Sequence, residues 1–292
     1  MSNVAISVVV PTYNRRDLLT HTLHALKTQT LARDRFEVVV VDDGSSDESK
    51  EVVDAFSSSL DIKYFWQEDK GFRLSKARNI GTMIAEGKYI VYLDTGVMAG
   101  SSTLERHLHI HESAAHPMAI IGYVYGFEAD HQLVVDTLKS ADHKDTDGMI
   151  RRLDQCKAFD IRQVQYDELG SNLASWPAPF DILWGCHMSA ERSELIKAGL
   201  FDERFNTWGG EDVDLGVRLH LNHNQFHMDR AIHSLHLPHE KLVDDIKTRS
   251  AIAAKRIHES YNLWSTSFYG LDTIDVKYSL NKAIRKYAAG NR

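Results

Sequence analysis

The chain has 292 residues, a net charge of −7 and 43% hydrophobic residues, which supports one large domain or two closely joined ones. The acidic balance argues against a nucleic-acid partner, and no apolar run approaches the roughly 18 residues that a membrane span needs. Because a strand pattern begins almost at the N-terminus, we expect no signal peptide. Cys156 and Cys186 could form a single disulfide, but they are expected to be reduced thiols of a cytoplasmic protein.

The first part of the chain predicts alternating strands and helices. β-branched apolar runs at 6–10 and 36–41 predict buried parallel strands, and helices are expected from the N-cap Asp17 and over 48–58. Ligands of such sheets bind at the carboxyl ends of the strands. The residues predicted to lie there are Pro11, Thr12, Tyr13, Asn14, Asp42 and Asp43.

Asp42 and Asp43 allow two interpretations. Asp is a common turn former and helix cap, and one of the two, or Asp47, is expected to have only that role. Two consecutive carboxylates at the end of a strand can also accept hydrogen bonds from a base N–H or a ribose hydroxyl. The chain lacks both G-x-G-x-x-G and G-x-x-x-x-G-K-[ST], so neither a typical dinucleotide fold nor a P-loop protein is predicted.

A basic segment follows a weaker strand that is predicted over 62–65. Ser75 is expected to cap a helix in this segment. The basic side chains of this segment could form a solvated face. Alternatively, they could bind a diphosphate, to which arginine offers bidentate hydrogen bonds. Four cations lie there within nine residues: Lys70, Arg73, Lys76 and Arg78.

The middle of the chain carries fewer signals. Strands are predicted over 88–93, ending at Asp94-Thr95-Gly96, and over 118–123. Residues 126–175 are polar and are expected to form an irregular insert. A spacing of two does not place residues on one face of a helix, so most of a histidine cluster is expected at the surface or at the boundary of the core, and not at a metal. This cluster comprises His107, His109, His111 and His116.

The C-terminal half contains the most informative stretch. A strand over 181–189 carries Trp184 and Gly185, and Trp208-Gly209-Gly210 then precedes a helix that is predicted to begin at Glu211 and Asp212. Acidic residues suit the positive end of a helix, so this pair could simply be a cap. Two adjacent glycines are a poor choice for structure alone, which favours carboxylates that face a ligand.

These motifs resemble known glycosyltransferases. The Trp-Gly-Gly-Glu-Asp stretch at 208–212 resembles the acceptor-side motif of GT-A-fold glycosyltransferases, which β-1,4-galactosyltransferases, chondroitin-type polymerases and polypeptide GalNAc-transferases share in variant form. P-T-Y-N, V-D-D-G-S-S-D and G-x-x-x-x-x-A-R-N-x-G are similar to the donor-nucleotide half of family 2 glycosyltransferases. The resemblance covers about residues 4–97 and 181–240.

The resemblance implies an α/β fold of the GT-A (nucleotide-diphospho-sugar transferase) type, with a mostly parallel central sheet flanked by helices and a C-terminal helical extension. It divides the chain into a donor half (1–97), an acceptor-binding and catalytic half (98–240), whose insert would shape the acceptor site, and the extension (241–292). It implies that Thr12 and Asp42 lie near the base and that Trp184 or Gly185 borders the sugar. Further donor-binding residues are Lys70, Arg78, Asn79, Asp94, Thr95, Trp208, Gly209 and Gly210.

A metal site is implied as well. In the family, the place of Asp94-Thr95-Gly96 carries Asp-x-Asp, which binds the metal and the donor, and here the second carboxylate is missing. His236 and His239 can converge on one ion if the backbone turns, and their segment resembles the metal-completing one of β-1,4-galactosyltransferases. The resemblance therefore implies Mn²⁺ or Mg²⁺ at Asp94, His236 and His239.

The function implied is transfer of a sugar from a nucleotide-diphosphate donor, a UDP-sugar in the first instance, to a glycan, natural product or peptide. Inversion is expected, with Asp212 as general base and Glu211 orienting the acceptor. Retention stays open, because GalNAc-transferases carry a related motif. A nucleotide-sugar-binding protein without catalysis is also open: the missing carboxylate beside Asp94 favours it, and the intact Glu211 and Asp212 oppose it. Peripheral membrane association is compatible with the sequence.

Overall fold

A computed structural model describes residues 3–127, 129–139, 141–239, 246–268 and 280–290. The strands found in these residues are β1 (Ile6–Thr12), β2 (Phe36–Asp42), β3 (Ile62–Trp66), β4 (Tyr89–Leu93), β5 (Val97–Ala99), β6 (Met118–Tyr125), β7 (His187–Glu191) and β8 (Gln225–His236). The α-helices are α1 (Arg16–Lys27), α2 (Ser49–Phe56), α3 (Leu74–Ile84), α4 (Thr103–Ser113), α5 (His131–Leu138), α6 (Thr146–Gln155), α7 (Gln163–Leu169), α8 (Arg192–Lys197), α9 (Glu211–Leu221), α10 (Ile246–Tyr261) and α11 (Leu280–Gly290).

The strands form one sheet in the order β3-β2-β1-β4-β7-β6-β8-β5. Strands β3, β2, β1 and β4 are parallel to one another, and β6 is parallel to β8. Strand β7 runs antiparallel to both β4 and β6, and β5 runs antiparallel to β8. The predicted α/β architecture, a mostly parallel sheet flanked by helices, is confirmed.

Strands β1 and β2 are buried along their whole length because helices cover both faces of the sheet. Val9 and Val39 pack in one apolar cluster with Ala77 of α3, whereas Val8 packs in a second cluster with Leu19 of α1. Successive side chains of a strand point to opposite faces, so a continuous apolar run supplies both clusters. This arrangement leaves the polar chemistry to the ends of the strands.

Two predicted helix caps are wrong. Helix α1 begins at Arg16, so that Asp17 lies inside its first turn, and α3 begins at Leu74, so that Ser75 is buried within it. The caps come instead from the loop after β2. The Asp47 carboxylate accepts a hydrogen bond from the Arg16 amide at 2.8 Å, and the Asp43 carboxylate accepts one from the Arg73 amide at 3.0 Å. A sequence pattern does not reveal caps that are supplied from a distance.

Residues 126–175 are not irregular, which corrects the prediction for this insert. They form α5, α6 and α7, and the carboxylates of Asp130 and Asp145 cap the first two of these helices. The fully buried Arg162 then fixes the insert to the sheet. Its guanidinium pairs with Asp160 at 2.6 Å and donates to the carbonyl of Gly122 at 2.7 Å.

The strand predicted over 181–189 is shorter than expected, because only its end belongs to β7. A 3₁₀ turn occupies Pro179–Ile182. The Arg162 guanidinium donates to the carbonyl of Ile182 at 2.8 Å, and the Trp184 indole donates to that of Asp181 at 2.9 Å. Side chains therefore satisfy two carbonyls of this segment, and the Asp94 amide donates to the Cys186 carbonyl at 3.1 Å just before β7 begins.

Two of the four clustered histidines, His107 and His111, are buried, which corrects the surface prediction. The His107 ring lies 3.1 Å from the His187 ring, between Nε2 atoms, and both His107 and His111 lie 2.8 Å from the Ser189 hydroxyl. Burial lowers the pKa of His111 and of His187 to about 3. The three rings are therefore neutral interior hydrogen-bond partners, while His109 and His116 are exposed.

Helix α11 packs on the segment that precedes β7. The Asn281 amide of α11 pairs with the backbone of Ala178, accepting from its N–H at 2.7 Å and donating to its carbonyl at 3.0 Å.

Cys156 and Cys186 are free thiols. Among the helices of the described residues, none combines the length and the apolar character needed to cross a bilayer.

Candidate functional site

A buried arginine joins the two halves of the site. Arg78 on α3 is 1% exposed, and its guanidinium donates to Glu211 at 3.0 Å and to Asp94 at 2.9 Å. Gly185 leaves the room for it, because a Cβ at position 185 would lie 2.5 Å from the guanidinium carbon. Arg78 therefore ties the end of β4 to the start of α9.

The start of α9 presents two carboxylates. Gly210 is the N-cap with φ of 94°, a conformation that favours glycine. Asp212 accepts a hydrogen bond from the amide of Val213 at 2.8 Å and one from the amide of Gly185 at 3.2 Å. In the described part of the chain, the second carboxylate oxygen of Glu211 is buried without a hydrogen-bond partner. One carboxylate is thus held firmly, and the other keeps an acceptor available.

The environment of this pair favours proton uptake. Burial is the largest influence on both carboxyl groups and raises the pKa of Glu211 and of Asp212. The negative charge of Asp212 raises the pKa of Glu211 further, whereas the guanidinium of Arg78 opposes both shifts. Paired carboxylates with raised pKa values are typical of groups that exchange protons near neutral pH.

Asp94, one of the three metal candidates, shares the Arg78 guanidinium with this pair. The Leu237 amide donates to the Gly96 carbonyl at 2.9 Å, which places the segment of His236 and His239 against the turn that follows Asp94. The two imidazole centroids are 5.0 Å apart. Burial lowers the pKa of both histidines, that of His236 to about 4, and the charge of Asp94 partly offsets the effect.

These three side chains fit the donor chemistry of a divalent ion. Neutral imidazole and carboxylate are common Mn²⁺ ligands, and the His239 Nδ1 atom lies 3.2 Å from the Leu237 carbonyl, which orients its ring. Asp94 has one carboxylate oxygen bonded to Arg78. The described residues contain no group of three His, Cys, Asp or Glu drawn together tightly enough to hold an ion.

The two carboxylates after β2 organise the loop around them. One Asp42 oxygen accepts from the amides of Gly44 and Ser45 at 3.0 and 2.7 Å, and the other accepts from the Tyr64 hydroxyl at 2.7 Å. Asp43 forms a salt bridge with Arg73 at 2.7 Å, and burial raises its pKa. Here the turn-forming interpretation describes the contacts of both residues.

The loop after β1 is more open. Tyr13 is 46% exposed, and its hydroxyl donates to Asp69 at 2.8 Å. The Asn14 side chain accepts from the Ser46 amide at 2.8 Å. The buried hydroxyl of Thr12 has no hydrogen-bond partner in the part of the chain that the structure describes. An exposed ring and an unsatisfied hydroxyl are compatible with a planar polar ligand at this edge.

Three residues that are predicted at the donor have other partners. Lys70 is largely exposed and pairs with Glu68 at 3.1 Å. The Asn79 side-chain amide forms two hydrogen bonds with the backbone of Phe201. Its oxygen accepts from the Phe201 N–H and its nitrogen donates to the Phe201 carbonyl, at 2.9 Å each. Arg78, predicted at the nucleotide, has both terminal nitrogens bound to carboxylates.

Four further predicted residues lie along the edge of the site. The Thr95 hydroxyl donates to the carbonyl of Pro11 at 2.8 Å, which ties the turn after β4 to the end of β1. Trp184 is half-buried between Phe127, with centroids 5.4 Å apart, and Arg162, 4.6 Å from its ring. Trp208 is half-buried, and a Cβ at Gly209, where φ is 97°, would meet open space.

The mixed, mostly parallel sheet with its flanking helices is the GT-A fold of glycosyltransferases. Two family models match the chain, glycosyl transferase family 2 over residues 7–157 and the N-terminal domain of galactosyltransferase over residues 168–240. The chain belongs to glycosyl transferase family 2, as its motifs predict.

Characterised relatives carry the same class of name. The chain is 35% identical over 243 residues to validoxylamine A glucosyltransferase of Streptomyces hygroscopicus subsp. jinggangensis, covering 81% of this chain and 56% of the relative. It is 32% identical over 222 residues to chondroitin synthase of Escherichia coli, covering 74% of this chain and 32% of that protein. The chain therefore spans about half or less of the length of these relatives.

Solved structures share the fold. Staphylococcus aureus TarS 1–349 in complex with UDP-GlcNAc matches with a TM-score of 0.62 at 19% identity, over 87% of this chain and 67% of that one. The mannosyltransferase PcManGT of Pyrobaculum calidifontis, in complex with GDP-Man and Mn²⁺, matches with a TM-score of 0.59 at 16% identity, over 87% and 63% of the two chains.

The raised pKa values predict the acidic limb of the pH profile. A carboxylate base acts only when it is deprotonated, so transfer should rise with pH through the pKa of the Glu211–Asp212 pair. The midpoint of the acidic limb in kcat/KM should therefore lie at a pH well above about 4, which is the ordinary pKa of a carboxyl group. Glu211→Gln removes a neighbouring negative charge and should move the limb to lower pH. A midpoint below a pH of about 5 in the wild type would contradict the prediction that this pair supplies the base. So would a midpoint that Glu211→Gln does not move.

Proposed function

We propose that the chain transfers a sugar from a UDP-sugar to an acceptor nucleophile with inversion at the anomeric carbon. The observation that carries the proposal is the pair of buried carboxylates at the start of α9, joined through Arg78 to Asp94. The names of the relatives support the donor and the range of acceptors: one structure of this fold binds UDP-GlcNAc, and two relatives are a validoxylamine A glucosyltransferase and a chondroitin synthase.

Asp212 is the proposed general base. Its carboxylate is oriented by the amides of Gly185 and Val213, and it takes the proton of the acceptor as the acceptor oxygen attacks the anomeric carbon. The positive end of α9 supports the charged form of the base before transfer. Glu211 accepts a hydrogen bond from the acceptor through its unpaired oxygen and so holds the nucleophile in line.

Asp94, His236 and His239 are the proposed ligands of Mn²⁺ or Mg²⁺. When bound there, the ion would supply positive charge to the diphosphate as it leaves. The two imidazoles offer neutral nitrogen donors because burial lowers the pKa of both. They offset the carboxylate that is absent after Asp94.

A second candidate function is nucleotide-sugar binding without catalysis. It is favoured by Gly96, which stands where the family has the second carboxylate of Asp-x-Asp and which offers no side-chain ligand to a metal. Slow release of UDP from a UDP-sugar in the absence of acceptor separates the two functions, since only a catalyst accelerates this hydrolysis.

Asp212→Asn should abolish transfer and preserve donor binding. Removing a general base typically lowers the rate by 10²–10⁴-fold, whereas UDP binding, measured by calorimetry, depends on other groups. Asp17→Asn is the control, because the Asp17 side chain is 91% exposed on α1, and it should leave both properties unchanged. Turnover of Asp212→Asn within a few-fold of the wild type would rule out this base.

Metal removal should stop transfer as well. Excess chelator should abolish product formation, and His236→Ala should weaken Mn²⁺ binding, followed by electron paramagnetic resonance, by at least about tenfold. His116→Ala, at an exposed position, is the matched control. Full activity in chelator together with unchanged Mn²⁺ affinity of His236→Ala would refute the site.

A further inference from the structure

One aromatic side chain of the insert contacts two different parts of the site. The ring of Phe127, which follows β6, packs edge-to-face on the imidazole of His236, with centroids 5.2 Å apart, and against the indole of Trp184, with centroids 5.4 Å apart. We propose that Phe127 is a positioning residue of the transfer reaction, whose ring fixes the proposed base Asp212 and the proposed metal ligand His236 relative to each other. This inference rests on the proposed function and deepens it.

A turn at a glycine brings Phe127 to His236. Strand β6 runs parallel to β8, which ends at His236. Gly126 then takes a φ of 75°, a conformation that favours glycine, and a Cβ at this position would lie 3.3 Å from the His236 carbonyl. The Phe127 amide donates to the Val124 carbonyl at 3.4 Å and closes the turn. The backbone that carries the phenyl ring is therefore packed directly beside the histidine that the ring contacts.

The indole that Phe127 contacts is also held by other groups. The guanidinium carbon of the buried Arg162 lies 4.6 Å from the centre of the Trp184 ring, and the indole nitrogen donates to the carbonyl of Asp181 at 2.9 Å. Phe127 and Arg162 both belong to the insert. Two side chains of the insert therefore contact one indole, and the packing of the insert sets where Trp184 lies.

Trp184 directly precedes the amide that orients the base. The Gly185 N–H donates to the Asp212 carboxylate at 3.2 Å, and a Cβ at Gly185 would lie 2.5 Å from the guanidinium carbon of Arg78. The peptide between Trp184 and Gly185 is thus fixed by the indole before it and by the guanidinium beside it. A separation of 3.2 Å is at the long end of the range for such hydrogen bonds, so a small shift of the indole would weaken this one.

The chemistry of the step explains why the two parts of the site need a fixed relation. The bond from the acceptor oxygen to the anomeric carbon forms while the bond from that carbon to the diphosphate oxygen breaks. The electron pair of the broken bond stays on the diphosphate, and the acceptor proton goes to Asp212. His236 belongs to the group proposed to hold the cation beside that diphosphate. A misplacement of about 1 Å between reacting groups can lower a rate by about 10²-fold, and the ring of Phe127 opposes such a shift.

Matched substitutions in the insert test this role. Phe127→Leu removes the ring, Phe127→Tyr keeps it, and Phe127→Met replaces Phe127→Leu if that variant does not fold. Phe159→Leu is the control, because Phe159 is a half-buried phenylalanine of the same insert whose ring contacts Tyr125 and the Arg230 guanidinium, at 6.5 and 4.9 Å. For each variant, transfer is measured against pH at saturating Mn²⁺, Mn²⁺ binding is followed by electron paramagnetic resonance, and melting temperatures confirm folding.

Phe127→Leu should lower kcat at least about tenfold and leave the KM for the donor unchanged, because the ring positions groups and does not bind the donor. Mn²⁺ binding should weaken about twofold to tenfold, the effect of losing one aromatic contact. The midpoint of the acidic limb in kcat/KM should move to higher pH, because the Gly185 hydrogen bond favours the charged form of Asp212 and is weakened. Phe127→Tyr should retain most of the activity and of the Mn²⁺ affinity.

Three results would overturn the role of Phe127. The first is a Phe127→Leu variant whose kcat, Mn²⁺ affinity and acidic limb match those of Phe159→Leu. The second is a raised KM for the donor at unchanged kcat, and the third is a loss that Phe127→Tyr shares in full. A wild type that binds UDP and Mn²⁺ but transfers no sugar would instead contradict the proposed function, and the Mn²⁺ affinities of Phe127→Leu and Phe159→Leu would still decide whether the ring positions His236.

Discussion

One buried ion pair network holds the site together. The guanidinium of Arg78 lies between a carboxylate at the end of β4 and one at the start of α9, which is 133 residues away in sequence. A charge with 1% exposure is tolerated only when it is paired and hydrogen-bonded. Each carboxylate is therefore fixed in space by the need to neutralise the same cation. The end of β4 and the start of α9 share this one counter-ion.

The same constraint accounts for neighbouring features. Gly185 is required because a side chain there would enter the space of the guanidinium, and its amide then holds Asp212. The Arg162 guanidinium bonds to the carbonyl of Ile182, just before Gly185, and so extends the support into the insert. The proposed base is thus oriented by backbone that packs on Arg78. A base that is held by fixed groups needs little reorganisation when it takes up a proton.

The sequence predicts the parallel core well and the polar contacts less well. Strands β1, β2, β4 and β6 follow from β-branched runs, and the start of α9 follows from glycines and acids before an apolar pattern. The sequence shows a basic segment that could bind a diphosphate. It could not show that Arg78 in this segment bonds to two carboxylates, Asp94 and Glu211, from distant parts of the chain. The sequence names Asp43 and Asp47 as candidate turn formers or caps, but it does not show that they cap the starts of α3 and α1. Three amphipathic helices were missed in 126–175 because their polar faces dominate the composition.

A double-mutant cycle between Arg78 and Glu211 tests the central claim most directly. Urea unfolding of Arg78→Met, Glu211→Gln and the double variant gives three changes in the free energy of unfolding. Breaking a buried pair by removing one partner costs about 3–5 kcal/mol, so Arg78→Met alone should be strongly destabilised. The double variant should be more stable than the sum of the single changes implies, by at least about 1 kcal/mol. Additive changes would show that the two residues do not neutralise each other.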